Sequence, residues 1–195
     1  EEAQAIIDNP KDAHEGVPGE IVDAVLTLHS LATKLRKKRF AAGAINFDRP
    51  EMKVEVDEKG RPVNVYQKVT KEANWLIEEF MLLANRTVAE FVATGCKGVG
   101  DASAKGRRQA KTFVYRVHDE PNQEKLENLR NFIGNFGYRM GPTNTGKEIS
   151  KELNNLFVAA KDTPEYNAIE LLSLRTMAKA RYDTENLGHY GLAFK

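Results

Sequence analysis

The stretch that most constrains this chain is TKEANWLIEEFMLLANRTVAEFV, from Thr70 to Val92. Ala73, Leu76, Ile77, Phe80, Ala84, Val88 and Phe91 recur at three- and four-residue steps, so one side of a helix roughly six turns long is apolar. That side is expected to face a core, with Thr70 as the N-cap and Glu72 in the first turn. On the other side Asn74, Glu78 and Asn85 fall near one line, and Glu79 points about a quarter turn away. Such a line is either a solvated face or a site.

At 195 residues the chain can bury a core without staples, and one domain is expected over two small ones. A net charge of +1 gives no global electrostatic steer, so any basic surface is local. Cys96 is the only cysteine, which excludes an internal disulfide or a multi-thiolate zinc site and points to a reducing, cytoplasmic compartment. No apolar run approaches the length of a membrane span, and the acidic first residues are not a basic, apolar leader. The chain starts on Glu1 without methionine and stops in an apolar run at GHYGLAFK, as expected of an internal piece of a longer protein.

Before the central stretch, Glu1 to Ile7 reads as a short helix ended by Asn9-Pro10. From Glu20 a second stripe, Ile21, Val25, Leu28, Ala32 and Leu35, runs into LRKKRF. There Lys34, Arg36, Lys37, Lys38 and Arg39 put five cations within six residues. Cations at a helix C-terminus are favoured by the macrodipole, so the cluster is either structural or a phosphate-binding patch. Ile45 and Phe47 alternate with Asn46 and Asp48 as in a strand ended by Pro50, which leaves Phe47 as a core residue or a base-stacking platform. Met52, Val54 and Val56, the turn DEKG, then Val63 and Val65 read as a β-hairpin.

Beyond the central stretch, Gly95 to Lys111 reads as a glycine-rich, cationic loop able to touch RNA backbone. Thr112 to Val117 reads as a strand, and Pro121 opens a helix through Phe136 on Leu126, Leu129 and Ile133, stopped by Gly137. His118 at the junction is expected to be a hydrogen-bonded structural residue, since no Ser or Cys beside it forms a nucleophile pair. GPTNTGK at 141–147 has P-loop spacing, but Glu148 stands where a hydroxyl should hold magnesium. A capping box of Thr145 and Glu148 starting a helix from Lys147 to Ala160 explains it better. Thr163-Pro164 opens a last helix on Ile169, Leu172, Leu174, Met177 and Ala178 to about Ala180, and Gly188 to Gly191 turns into a strand, with His189 orienting a neighbour or filling a polar corner. The fold class is α+β, an antiparallel or mixed sheet packed against several long amphipathic helices.

The aspartates are scattered from Asp8 to Asp183, and Glu78 and Glu79 diverge on their helix, so no complete two-metal site is visible. Judged on chemistry alone, the chain is an α+β domain with a local basic patch. Two readings stay open beside a catalytic one: a non-catalytic RNA-binding module, and a structural or interaction domain.

Several stretches together resemble the RNB catalytic domain of ribonuclease R and ribonuclease II, and more nearly that of ribonuclease R. They are LATKLRKKRFAAGAINFDRPE at 31–51, VDEKGRPVNVY at 56–66, KEANWLIEEFMLLANRTVAEF at 71–91, FVYRVHDEPNQEKLENLRNFI at 113–133 and LRTMAKARYDTENLGHYGLAF at 174–194. They stand in the family's order and cover most of residues 1–195, which makes the chain a partial RNB domain. The resemblance implies processive 3′ to 5′ hydrolysis of single-stranded RNA to nucleoside 5′-monophosphates with Mg2+. It implies that Phe47 clamps the stacked 3′-terminal bases and that Glu78 contacts the terminal nucleotide. The family's aspartate cluster lies upstream, and its arginine-bearing HFTSPIRRY-like motif would follow Phe194. A chain without either is expected to bind no metal, to be inactive alone, and to self-associate through surfaces its missing parts would cover.

Overall fold

The computed structural model describes residues 1–12, 14–47, 51–93 and 112–194. The expected loop from Gly95 to Lys111 lies outside them. The chain divides into two compact units, one of 1–37 with 48–82 and the other of 38–47 with 83–195.

The first unit holds α1 (Glu2–Asp8), most of α2 (Gly19–Ala42), the hairpin β1 (Glu51–Val56) and β2 (Pro62–Lys68), and the first half of α3 (Glu72–Ala93). The hairpin is antiparallel with Val54 opposite Val65 and Met52 opposite Gln67, as the alternation predicts. Its turn closes on Asp57, whose carboxylate accepts the Lys59 and Arg61 N–H groups at 2.9 Å each. The Arg61 amide and guanidinium hold that carboxyl below the usual carboxylate range. Gly60 supplies the φ of +76° that the turn requires.

Two expectations for α3 are corrected. Thr70 is not its cap: α3 begins at Glu72, with the Asn74 side chain accepting the Lys71 N–H at 3.0 Å. The Gln4 amide of α1 reaches across to accept the Ala73 N–H at 2.9 Å, satisfying one of the orphan donors of the helix start. Nor is the apolar stripe buried along its length. Leu76 and Glu79 are buried, whereas Ile77, Val88 and Phe91 are exposed. Periodicity reports an apolar stripe but not what covers it.

The second unit carries the larger core. It contains β3 (Tyr115–Val117), α4 (Gln123–Gly134), α5 (Gly146–Ala160), α6 (Tyr166–Thr176), β4 (Arg181–Asp183) and a 3-10 turn, Tyr190–Leu192. Leu126, Leu129 and Ile133 of α4 meet Ile149, Leu153, Leu156 and Phe157 of α5 and Ile169 of α6 in one cluster. The capping box at α5 is present: Thr145 Oγ1 accepts the Glu148 N–H at 3.3 Å, and Glu148 accepts the Thr145 N–H at 3.2 Å. Gly146 cradles no phosphate, because a Cβ there would meet the Glu120 carboxylate and come 2.9 Å from the Tyr190 ring. The observed α+β class is the expected one.

Other boundaries move. Helix α4 is capped by Asn122, whose side chain accepts the Lys125 N–H at 3.0 Å, and Pro121 lies outside it. Phe136 is exposed beyond its end. Helix α6 starts at Tyr166 without a side-chain cap and stops at Thr176; Thr163, the expected cap, donates its hydroxyl to the Ala160 carbonyl at 2.6 Å instead. The expected strand after Gly188 is a 3-10 turn with two isolated bridges, His118 to His189 and His189 to Phe194. Strand β4, not foreseen, pairs antiparallel with β3, Arg116 opposite Tyr182.

Candidate nucleic-acid interface

The segment carrying Phe47 is the first part of the candidate interface. Helix α2 ends at Ala42, and Gly43 at φ +111° turns the chain out of it, a conformation that favours glycine. Residues 44–47 then belong to no strand and join no sheet, which corrects the expected strand. Side chains and one turn take the place of a ladder. The Ile45 N–H donates to the Gly191 carbonyl at 3.1 Å. The Asn154 side chain of α5 accepts the Asn46 N–H at 3.0 Å and donates to the Ala44 carbonyl at 2.9 Å. Ala44 and Ile45 are buried, and Phe47, half-buried, leans on Phe157 with ring centroids 5.3 Å apart and planes at 53°. A ring backed by the core and partly open to solvent has what a base-stacking platform needs.

The turn that receives Ile45 is itself fixed. His118 Nδ1 accepts the Gly191 N–H at 3.1 Å, and its Nε2 lies 2.9 Å from the Ala178 carbonyl. The neutral Nε2–H tautomer satisfies both contacts at once. His118 is thus the structural residue the sequence suggests, with both nitrogens committed. The Tyr190 hydroxyl donates to the Gly146 carbonyl and accepts from Ser150 Oγ, each at 2.9 Å. Burial pushes it up to about 12, so it stays protonated at neutral pH.

His189 packs 4.9 Å from the His118 ring. Burial is the main cause that pushes its pKa from 6.5 down to about 4, and the nearby Arg116 charge adds to it. A histidine whose folded pKa lies below its unfolded value takes up its proton preferentially in the unfolded chain, so stability rises with pH between the two values. Stability is expected to be complete above about pH 6.5 and to fall as pH drops toward about 4. For a half-buried ring the loss is about 1–2 kcal/mol, and His189→Gln should remove that part of the slope in urea titrations at stepped pH.

The five cations divide. Lys34, Lys37 and Lys38 are exposed. Arg36 lies over the Trp75 ring, 4.6 Å from its centroid, and 3.8 Å from the carboxylate of Glu79. Glu79 is only 3% exposed, so this pair closes α2 on α3 within the first unit. Arg39, 8% exposed, stacks over Phe40 at 4.9 Å. Glu78 is exposed on α3 in the first unit, whereas Phe47 belongs to the second. Sequence reading missed Asn154, Glu79 and the His118 to Gly191 link. The adjacent carboxylates Glu78 and Glu79 within one amphipathic helix were the one available signal for Glu79.

Among the described residues no group of three or more His, Cys, Asp or Glu side chains is placed to hold a metal ion. They do not fit the magnesium centre that the resemblance implies, and no hydrolytic step is assigned to them. Nor is any helix among them long and apolar enough to cross a membrane.

The RNB domain family matches residues 1–195. Ribonuclease R of Aquifex aeolicus strain VF5 is 34% identical over 180 residues, which are 90% of this chain and 23% of that protein. RNase R of Mycoplasma genitalium in complex with ribose methylated single-stranded RNA matches with a TM-score of 0.78 and 26% identity, over 98% of this chain and 27% of its own. The same protein in complex with double-stranded RNA gives 0.76 and 28%, over 97% and 31%. The chain therefore spans about a quarter of the length of these relatives. Matched along its whole length and carrying AINF on a braced segment and LIEE on a long helix, the chain belongs to the RNB domain family.

Proposed function

We propose that this chain is part of a ribonuclease R-like exoribonuclease that degrades single-stranded RNA from its 3′ end to nucleoside 5′-monophosphates, and that it forms the wall that holds the RNA. The observation that carries the reading is the bracing of Phe47, a ring with the backbone just before it and one of its sides held by α5 and the rest partly open. Stacking on such a ring tolerates every base, as a processive enzyme requires. Lys34, Lys37 and Lys38 contribute phosphate contacts, Glu78 meets the terminal nucleotide, and Arg36 and Arg39 shape the helix that presents the lysines. Magnesium dependence belongs to the longer protein, whose other parts supply the metal ligands, so the isolated chain binds RNA without cutting it. The single Cys96 supports a reducing, cytoplasmic setting. Self-association of the isolated chain through the exposed apolar residues of α3 and the hairpin belongs to the same reading.

Three lysines on phosphates give a slope of log affinity against log salt of about −2, that is, a roughly fourfold loss on doubling the salt. Fluorescence anisotropy with a labelled oligoadenylate reads it directly. Lys34→Ala, Lys37→Ala and Lys38→Ala together should flatten it, and an unchanged slope in the triple variant would remove the patch from the binding surface.

A further inference from the structure

We infer that Asn154 is the positioning residue for Phe47, and that its side-chain amide acts as a one-residue substitute for a neighbouring β-strand. The inference rests on the reading of Phe47 as the platform for RNA bases.

Residues 44–47 belong to no strand, yet the Ala44 C=O and the Asn46 N–H share one partner while the Ile45 N–H between them goes to another, the alternation of a strand edge. An extended segment exposes an N–H and a C=O on the same edge at alternate residues, and a carboxamide presents one acceptor and one donor at matching separation. Asn154 uses both: Oδ1 takes the Asn46 N–H at 3.0 Å and Nδ2 gives to the Ala44 C=O at 2.9 Å. The intervening Ile45 N–H points to Gly191 at 3.1 Å, so both edges of the segment are engaged. Phe157 follows Asn154 by three residues on α5, and residues three apart on a helix share a face. One helix face therefore fixes the backbone immediately before Phe47 and, at 5.3 Å between centroids, the ring itself. Neither a carboxylate nor an aliphatic side chain at 154 can make both bonds. With the amide gone, the Asn46 N–H and the Ala44 C=O lose these two bonds while the Ile45 N–H keeps its own, and the backbone leading into Phe47 is held less closely to α5.

The test is a double-mutant cycle on RNA binding by the 195-residue chain, using an oligoadenylate with 2-aminopurine at its 3′ end, whose fluorescence falls on stacking. Asn154→Leu removes both bonds at similar volume, and Asn154→Asp keeps the acceptor and loses the donor. With Phe47 intact, Asn154→Leu is expected to weaken binding roughly three- to tenfold and to diminish the quench, with Asn154→Asp in between. In a Phe47→Ala background the same change should have no further effect, because the residue it positions is gone. Equal losses in both backgrounds, or no loss with Phe47 present, would overturn the inference. Hydrogen exchange gives a readout independent of RNA: Asn154→Leu should deprotect the Asn46 amide while leaving that of Ile45 protected. Joint loss of both amides would mean general unfolding and would also overturn it. If Phe47→Ala alone leaves binding unchanged, the platform reading fails, and that outcome is distinct from a cycle in which Phe47 matters and Asn154 does not.

Discussion

Replacing Phe47 by alanine is expected to weaken binding of single-stranded RNA by roughly ten- to a hundredfold while the chain stays folded. Loss of one base-stacking surface costs about 1–3 kcal/mol of binding, and among the described residues Phe157 is the aromatic ring that Phe47 stands on. The folding cost is smaller, since Phe47 is half-buried and its segment remains tied by Gly191 and Asn154. Phe47→Trp should retain affinity, because a larger π-face serves the same purpose. Anisotropy with a labelled oligoadenylate, alongside circular dichroism, separates the two effects. Full affinity in a folded Phe47→Ala chain would assign Phe47 to the core alone.

The second large effect is on stability. Leu153 is 0% exposed in the cluster that joins α4, α5 and α6, and it sits beside Asn154 in sequence. Leu153→Ala is expected to cost about 2–5 kcal/mol, combining lost transfer energy with an unfilled cavity. Leu153→Met, which conserves volume, should cost less than about 1.5 kcal/mol. Urea melts should show the alanine variant's midpoint falling with an unchanged slope. Because α5 also carries the Phe47 brace, weakened RNA binding should accompany the loss near the midpoint. An unshifted midpoint would contradict the placement of the core in α4–α6.

These two residues mark what was legible in the sequence and what was not. The apolar face of α5 and the Thr145–Glu148 capping box are written within one helix, in spacings that report their own structure. The hairpin was legible for the same reason, with alternation on both sides of DEKG. Residues 44–47 alternate like a strand, yet their partner is an amide 108 residues away, which no local pattern encodes. The His118 to Gly191 bond spans 73 residues and was equally silent. For α3, a regular stripe promised burial that only Leu76 fully attains, while Glu79, read as a quarter turn away from a polar line, is buried against Arg36. A charged residue hidden by its partner cannot be told from a solvated one by periodicity alone. Phe47 and Glu78 became candidates through the family resemblance, since their local patterns fit a core ring and a wet helix face equally well.

The most direct measurement is a time course of this chain with 5′-labelled single-stranded RNA and magnesium, resolved on a denaturing gel beside the full-length protein. The expected result is stepwise shortening from the 3′ end by the full-length protein only, with the 195-residue chain binding the RNA and leaving it intact. Shortening by this chain alone would contradict the division between an RNA-holding wall and a metal centre supplied from elsewhere, and would place hydrolytic ligands within these residues.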